Sequence, residues 1–252
     1  DMTRPVRLTM AQALTRYLSR QTTEIDGQRL PIFGGVWAIF GHGNVAGLGE
    51  ALWHERERLP TFRAHNEQAM AHAAIAYAKA NMRRRFMAAT TSIGPGATNL
   101  VTAAALAHVN RLPVLLLPGD VFANRIPDPV LQQVEAFGDG TVSANDCFRP
   151  VSRYFDRITR PEQIIPALTR AMQVLTDPAE CGPVTLALCQ DVQAEAYDYP
   201  ESFFVERLWT PRRPRSDRDE LKAAAEALKA AKKPLIVAGG GVLYSGASEI
   251  GR

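Results

Sequence analysis

The stretch 62-FRAHNEQAMAHAAIAYAKA-80, a short basic connector, and 86-FMAATTSIGPGATN-99 together decide the fold. The first part reads as an Ala-rich helix with the carboxylate of Glu67 in its opening turn. The second reads as an apolar strand that ends in Gly94-Pro95-Gly96 and opens another Ala-rich helix. A strand–turn–helix unit beside a helix that starts on a carboxylate is the pattern of an α/β layer. Ligands in open α/β sheets sit beyond the carboxyl ends of the strands, where these two segments meet.

The flanking sequence repeats the pattern. Residues 8–18 have helical apolar spacing with Thr9 as N-cap. Residues 32–40 read as a buried strand, 41-GHGN-44 as a tight turn, and 45–59 as a helix. A short strand over 60–64 leads into the Glu67 helix, residues 85–90 form the next strand and 95–108 the next helix. The run 113-PVLLLP-118 is continuously apolar, as strands covered on both faces are. A helix over 164–175 and a strand over 183–188 complete a doubly wound parallel α/β sheet with helices on both faces, spanning residues 1–190. Residues 191–216, rich in Pro, Arg, Tyr and acids, read as a linker. A helix from Asp217 and a strand at 234-PLIVA-238 ending in Gly239-Gly240-Gly241 read as the start of a second α/β domain over 217–252. One helix and one strand cannot bury a core, so the 252 residues read as a piece of a longer protein.

Composition narrows the function classes. The chain is 46% hydrophobic and 22% charged, which suits a globular protein with a real core. Lys and Arg exceed Asp and Glu by 29 − 26 = 3, and the basic runs 83-RRR-85 and 211-PRRPR-215 lie between periodic segments, so a nucleic-acid partner is not expected. No apolar run approaches the ~20 residues of a membrane span, and no signal-peptide core stands at the N-terminus. Cys147, Cys181 and Cys189 have no metal-ligand spacing, and their odd number argues against a disulfide scaffold, so a reducing cytoplasm is the expected setting.

Three elements are candidates for chemistry. Glu67 is either a first-turn charge favoured by the helix dipole or a site carboxylate. The Gly94-Pro95-Gly96 turn is either a plain strand-to-helix connection or a place where backbone approaches a ligand closely. His42 is either satisfied within its own loop or a polar contact in a cleft. Other patterns fail: His65-Asn66-Glu67 lacks the P-C-x-x-C of zinc deaminases, and Gly239-Gly240-Gly241 departs from G-x-G-x-x-G.

Taken together, these elements resemble the N-terminal pyrimidine-binding domain of thiamine-diphosphate enzymes of the acetohydroxyacid synthase type. Residues 39-IFGHGN-44 match that family's F-G-x-P-G loop, with Gly43-Asn44 in place of Pro-Gly. Residues 65-HNEQA-69 with Tyr77-Ala78 match its H-E-x-x-A…G-Y-A-R segment, and 91-TSIGPGATN-99 matches T-S-x-G-P-G-x-x-N. The resemblance implies thiamine diphosphate as cofactor. It makes Glu67 the catalytic group that hydrogen-bonds the aminopyrimidine nitrogen, so that the cofactor's own imino nitrogen takes the C2 proton. It also makes Pro95 and Asn99 pyrimidine contacts. The texture of 40-FGHGNVAG-47, 110-NRLPVLLLPGD-120 and 127-PDPVLQQ-133 is similar to a branch that hydrolyses a ring C–C bond of a cyclic 1,2-dione in myo-inositol catabolism, yielding 5-deoxyglucuronate. His42 and Gln132 are then expected to face that small-molecule substrate. The family holds Mg²⁺ through a G-D-G…N signature in a C-terminal domain. Gly138-Asp139-Gly140 lacks the preceding apolar strand and the distal Asn, so no metal is assigned to this chain. The family's half-sites meet across subunits, which implies a homo-oligomer, at least a dimer, and an isolated fragment without activity. The alternatives are an acetolactate synthase-type 2-oxo-acid lyase, or a non-catalytic subunit-interaction domain that kept the fold.

Overall fold

The computed structural model describes residues 4–127, 131, 134 and 138–248. Two compact units divide at Thr210/Pro211. The first is built on six parallel strands: β4 (Phe33–Ala38), β5 (Thr61–Phe62), β6 (Phe86–Thr91), β7 (Val114–Asp120), β8 (Tyr154–Ile158) and β9 (Pro183–Cys189). Their order across the sheet is β5-β4-β6-β7-β9-β8, and every neighbouring pair runs parallel. All residues of β6, β7 and β9 are buried, because helices cover both faces of the sheet centre.

The crossovers are α2 (Glu50–His54), α3 (Glu67–Ala80), α4 (Pro95–Thr98) with α5 (Val101–Asn110), and α6 (Ile164–Leu175). Helix α1 (Met10–Ser19) opens on Thr9, whose hydroxyl accepts from Gln12 N while the Gln12 side chain accepts from Thr9 N, a complete capping box. The helix expected over 45–59 is shorter and wider. Residues 45–49 form a π-helical turn, and α2 follows for five residues before the chain unwinds into turns. The helix expected over 95–108 is broken between α4 and α5 at Asn99, whose side chain leaves the helix surface for Glu67.

Strands at the rim are the elements with no local signature. Strand β1 (Pro5–Thr9) pairs antiparallel with β10 (Ala196–Pro200), and β11 (Arg207–Trp209) runs parallel to β2 (Gln21–Ile25), which forms a hairpin with β3 (Gln28–Pro31). Asp26 and Gly27 turn that hairpin with φ of 51° and 77°, the left-handed pair that a two-residue β-turn demands. The segment 191–210, expected as linker, therefore folds onto the first unit through β10, β11 and the buried rings of Tyr199 and Phe204.

In the second unit α7 (Arg218–Ala230) is capped by Asp217, which accepts from Asp219 N and Glu220 N, and α8 (Gly240–Tyr244) follows. The strand expected at 234–238 is absent. Those residues pair with no strand among the described residues, and Leu235, Ile236 and Val237 are exposed.

An ion pair inside the first unit closes the end of the sheet. Asp120, 2% exposed at the end of β7, meets Arg157 of β8 at 2.7 Å, and Arg157 also donates to Ser143 Oγ and Asp146 Oδ2. Removing one partner of such a pair strands a buried charge. Arg157→Met should therefore cost about 3–5 kcal/mol in denaturant unfolding, and the double change Asp120→Asn/Arg157→Met clearly less. Burial pushes the thiols of Cys181 and Cys189 above their ordinary value, and the neighbouring Asp120 and Asp191 raise Cys189 further. Cys147 is exposed. Alkylation of native protein followed by mass spectrometry should label Cys147 and spare Cys189 until the chain is unfolded.

Candidate functional site

Strands β4 and β6 are neighbours, yet the crossover after β4 leads to β5 on one side and the crossover after β6 leads to β7 on the other. Such a reversal opens a crevice at the carboxyl ends of the two strands. Residues 41–44 follow β4, and residues 92–96 follow β6, so both glycine-bearing turns lie at this crevice. They are also bonded together: Gly43 N donates to Ser92 Oγ at 3.1 Å.

Asn44 explains the departure from the Pro-Gly pattern. It is buried, its Nδ2 donates to Ile39 O at 3.1 Å and to Thr90 Oγ1 at 3.2 Å, and its Oδ1 accepts from Gly41 N at 2.9 Å. A proline at position 43 would remove the N–H that reaches Ser92. The loop is thus held by side-chain amide bonds in place of proline stiffness. His42, at its crest, is half-buried; its Nε2 is shielded from solvent and has no hydrogen-bond partner among the described residues. A shielded polar atom without a partner calls for a ligand or water to satisfy it.

Helix α3 brings Glu67 to the same place. Asn66 is its N-cap, accepting from Ala69 N at 3.1 Å, so Glu67 occupies the first helical position with its carboxylate on the favourable end of the helix dipole. Glu67 Oε2 accepts from Asn99 Nδ2 at 2.9 Å. Oε1 has no protein donor among the described residues and faces Gly96, where a Cβ would fall 3.2 Å from it. Gly94 makes the sharp entry to α4 with a φ of +62°, which an L side chain rarely adopts. Pro95 sits at the first position of α4 and is exposed.

The structure therefore brings Glu67, Asn99 and Gly96 into contact and ties the His42 loop to the strand end that leads into them. Asn99, expected to touch a pyrimidine, is bonded here to the Glu67 carboxylate. Gln132 lies outside the described residues. Gly138-Asp139-Gly140 is an exposed turn in which Asp139 accepts from Thr141 N at 2.9 Å and Thr141 Oγ1 at 2.6 Å. Gln193, hidden in a polar stretch, was not singled out from the sequence. It is 1% exposed and donates to Gly43 O at 2.7 Å behind the His42 loop.

Residues 36–138 match the family model described as thiamine pyrophosphate enzyme, N-terminal TPP binding domain. The curated relatives include the 3D-(3,5/4)-trihydroxycyclohexane-1,2-dione hydrolases of Bacillus licheniformis, Bacillus subtilis and Geobacillus thermodenitrificans. The first is 52% identical over 98% of this chain and 39% of its own length, and the second 51% over 98% and 39%. The third is 53% identical over 97% of this chain and 38% of its own length. The chain thus spans about two fifths of the length of these relatives. No described helix is long and apolar enough to cross a membrane. The segment that carries Glu67, Gly96 and Asn99 is thus similar to the N-terminal TPP binding domain of thiamine pyrophosphate enzymes.

Proposed function

We propose that this chain is the pyrimidine-holding part of a thiamine-diphosphate-dependent hydrolase that opens the ring of 3D-(3,5/4)-trihydroxycyclohexane-1,2-dione. One observation carries the assignment of the site: Glu67 presents one bonded and one free carboxylate oxygen over a glycine turn. The relatives' shared name supports the choice of substrate.

The residues present fit the aminopyrimidine end of the cofactor. Glu67 Oε1 is free to accept a proton-bearing ring nitrogen, Gly96 leaves the space above it open, and His42 Nε2 awaits a polar partner. When bound, thiamine diphosphate supplies a carbon nucleophile and a sink for the electron pair released when a C–C bond breaks. Glu67 holds the pyrimidine nitrogen through Oε1 and stabilises the tautomer in which that nitrogen carries a proton. Asn99 orients the carboxylate by occupying Oε2, which keeps the reactive oxygen pointing at the ring. Pro95, at the first position of α4, would contact the same ring. His42 and Gln132 present polar groups to the hydroxylated ring of the dione, and Gly43-Asn44 shapes the loop for a substrate other than pyruvate.

Mg²⁺ and the diphosphate belong to residues outside this chain, and the half-exposed Glu67–Asn99 pair is completed by another subunit in an oligomer of at least two copies. Such an enzyme works in the cytoplasm.

In the full-length enzyme, Glu67→Gln should lower turnover of the dione by roughly 10²–10⁴-fold, the usual weight of a proton-transfer group. Near-normal turnover would return the domain to a scaffold role. Assay of the same protein with pyruvate distinguishes the readings by substrate: acetolactate formation exceeding dione hydrolysis would make it a 2-oxo-acid lyase. Gly96→Ala places a methyl group against Oε1, and a displacement of that size should reduce kcat by up to ~10²-fold with the melting temperature preserved.

A further inference from the structure

The amide of Gln193 is buried and spent entirely on backbone. Nε2 donates to Gly43 O at 2.7 Å and to Leu188 O at 3.2 Å, and Oε1 accepts from Leu48 N at 3.2 Å. Leu188 belongs to β9, whereas Gly43 lies in the turn that follows β4 and Leu48 in the π-helical turn after it. One planar group therefore struts the His42 loop against the sheet. Shape is matched as well as bonding, since a Cβ on Gly47 would lie 2.5 Å from Gln193 Cβ and 2.8 Å from Oε1.

Two residues earlier, Asp191 accepts from Ala123 N at 2.9 Å, Asn124 N at 3.2 Å and Asn124 Nδ2 at 3.1 Å, holding the segment that leaves β7. Val192 between them is fully buried and locks the turn. The Asp191–Gln193 turn thus grips both connections that emerge at the carboxyl ends of β4 and β7. Only glutamine or asparagine offers two donors and an acceptor in one uncharged group. Methionine would fill the volume and remove all three of these hydrogen bonds, and glutamate would lose both donors.

We infer that Gln193 is a positioning residue for substrate recognition, setting the direction in which His42 faces the substrate while leaving the Glu67–Asn99 pair untouched. The inference rests on the reading that residues 41–44 face the substrate of a thiamine-diphosphate enzyme. Gln193 has no hydrogen bond to Glu67 or Asn99 among the described residues, so proton activation at the cofactor and fit of the substrate are separable.

The test uses full-length enzyme with thiamine diphosphate and Mg²⁺. Hydrogen–deuterium exchange at the cofactor C2, measured without substrate, reports activation through Glu67. Steady-state kinetics with the cyclic dione report recognition, and melting temperature reports folding. Gln193→Met and Gln193→Glu should keep C2 exchange within about twofold of the parent while kcat/KM for the dione falls by ~10–100-fold. Gly47→Ala, which pushes on Gln193 from the loop side, should give the same signature and serves if the Gln193 variants do not fold. An unchanged kcat/KM, or exchange and kcat/KM falling in step, overturns the inference. C2 exchange that survives Glu67→Gln overturns the reading of the site on which it rests, whatever the Gln193 variants do.

Discussion

The arrangement depends on the reversal of winding between β4 and β6. Because their crossovers depart to opposite sides, a crevice opens at their ends, and the turns 41–44 and 92–96 line it. Helix α3 returns the chain to the amino end of β6, but its own start lies near the crevice, which delivers Glu67 to Gly96 and Asn99. The carboxylate is then held by a neutral amide. A cation in that place would have neutralised it, whereas Asn99 Nδ2 orients one oxygen and leaves the charge available to a ligand.

The 41–44 loop, which follows β4, is stiffened by a different device. Asn44, Ser92 and Gln193 are all uncharged, and all of them bond backbone or hydroxyl groups of the turn. Polar side chains buried at the centre of an α/β sheet are tolerated when each donor and acceptor is used, and here nearly all are. Within the turn 41–44, His42 Nε2 is shielded and has no hydrogen-bond partner among the described residues.

Much of the sheet was legible because β6, β7 and β9 are buried on both faces and so read as unbroken apolar runs. Strand β8 was not, since it is a half-buried edge carrying Asp156 and Arg157. Strands β10 and β11 were hidden for another reason: their partners are β1 and β2, nearly two hundred residues away, and β10 buries only Tyr199 fully. Glu67 and the Gly94–Gly96 turn stand out as residue types that a plain crossover does not require. The bond between Asn99 and Glu67 could not be read, because it depends on where α4 stops. Gln193 looks like any other amide in a polar stretch until the turn before β10 carries it under the loop. The apolar run at 234–238 shows the converse, since strand propensity without a neighbouring strand yields no strand.

The antiparallel clasp of β1 with β10 joins residues 5–9 to residues 196–200. A ribosome must therefore release nearly the whole unit before its rim can close, and until Tyr199 arrives the cleft beneath α1 lacks its buried ring. Closure of so long a loop is slow compared with local helix formation. During synthesis the rim stays open until β10 arrives to pair with β1, and that interval is when a nascent chain of this design most needs protection from its neighbours.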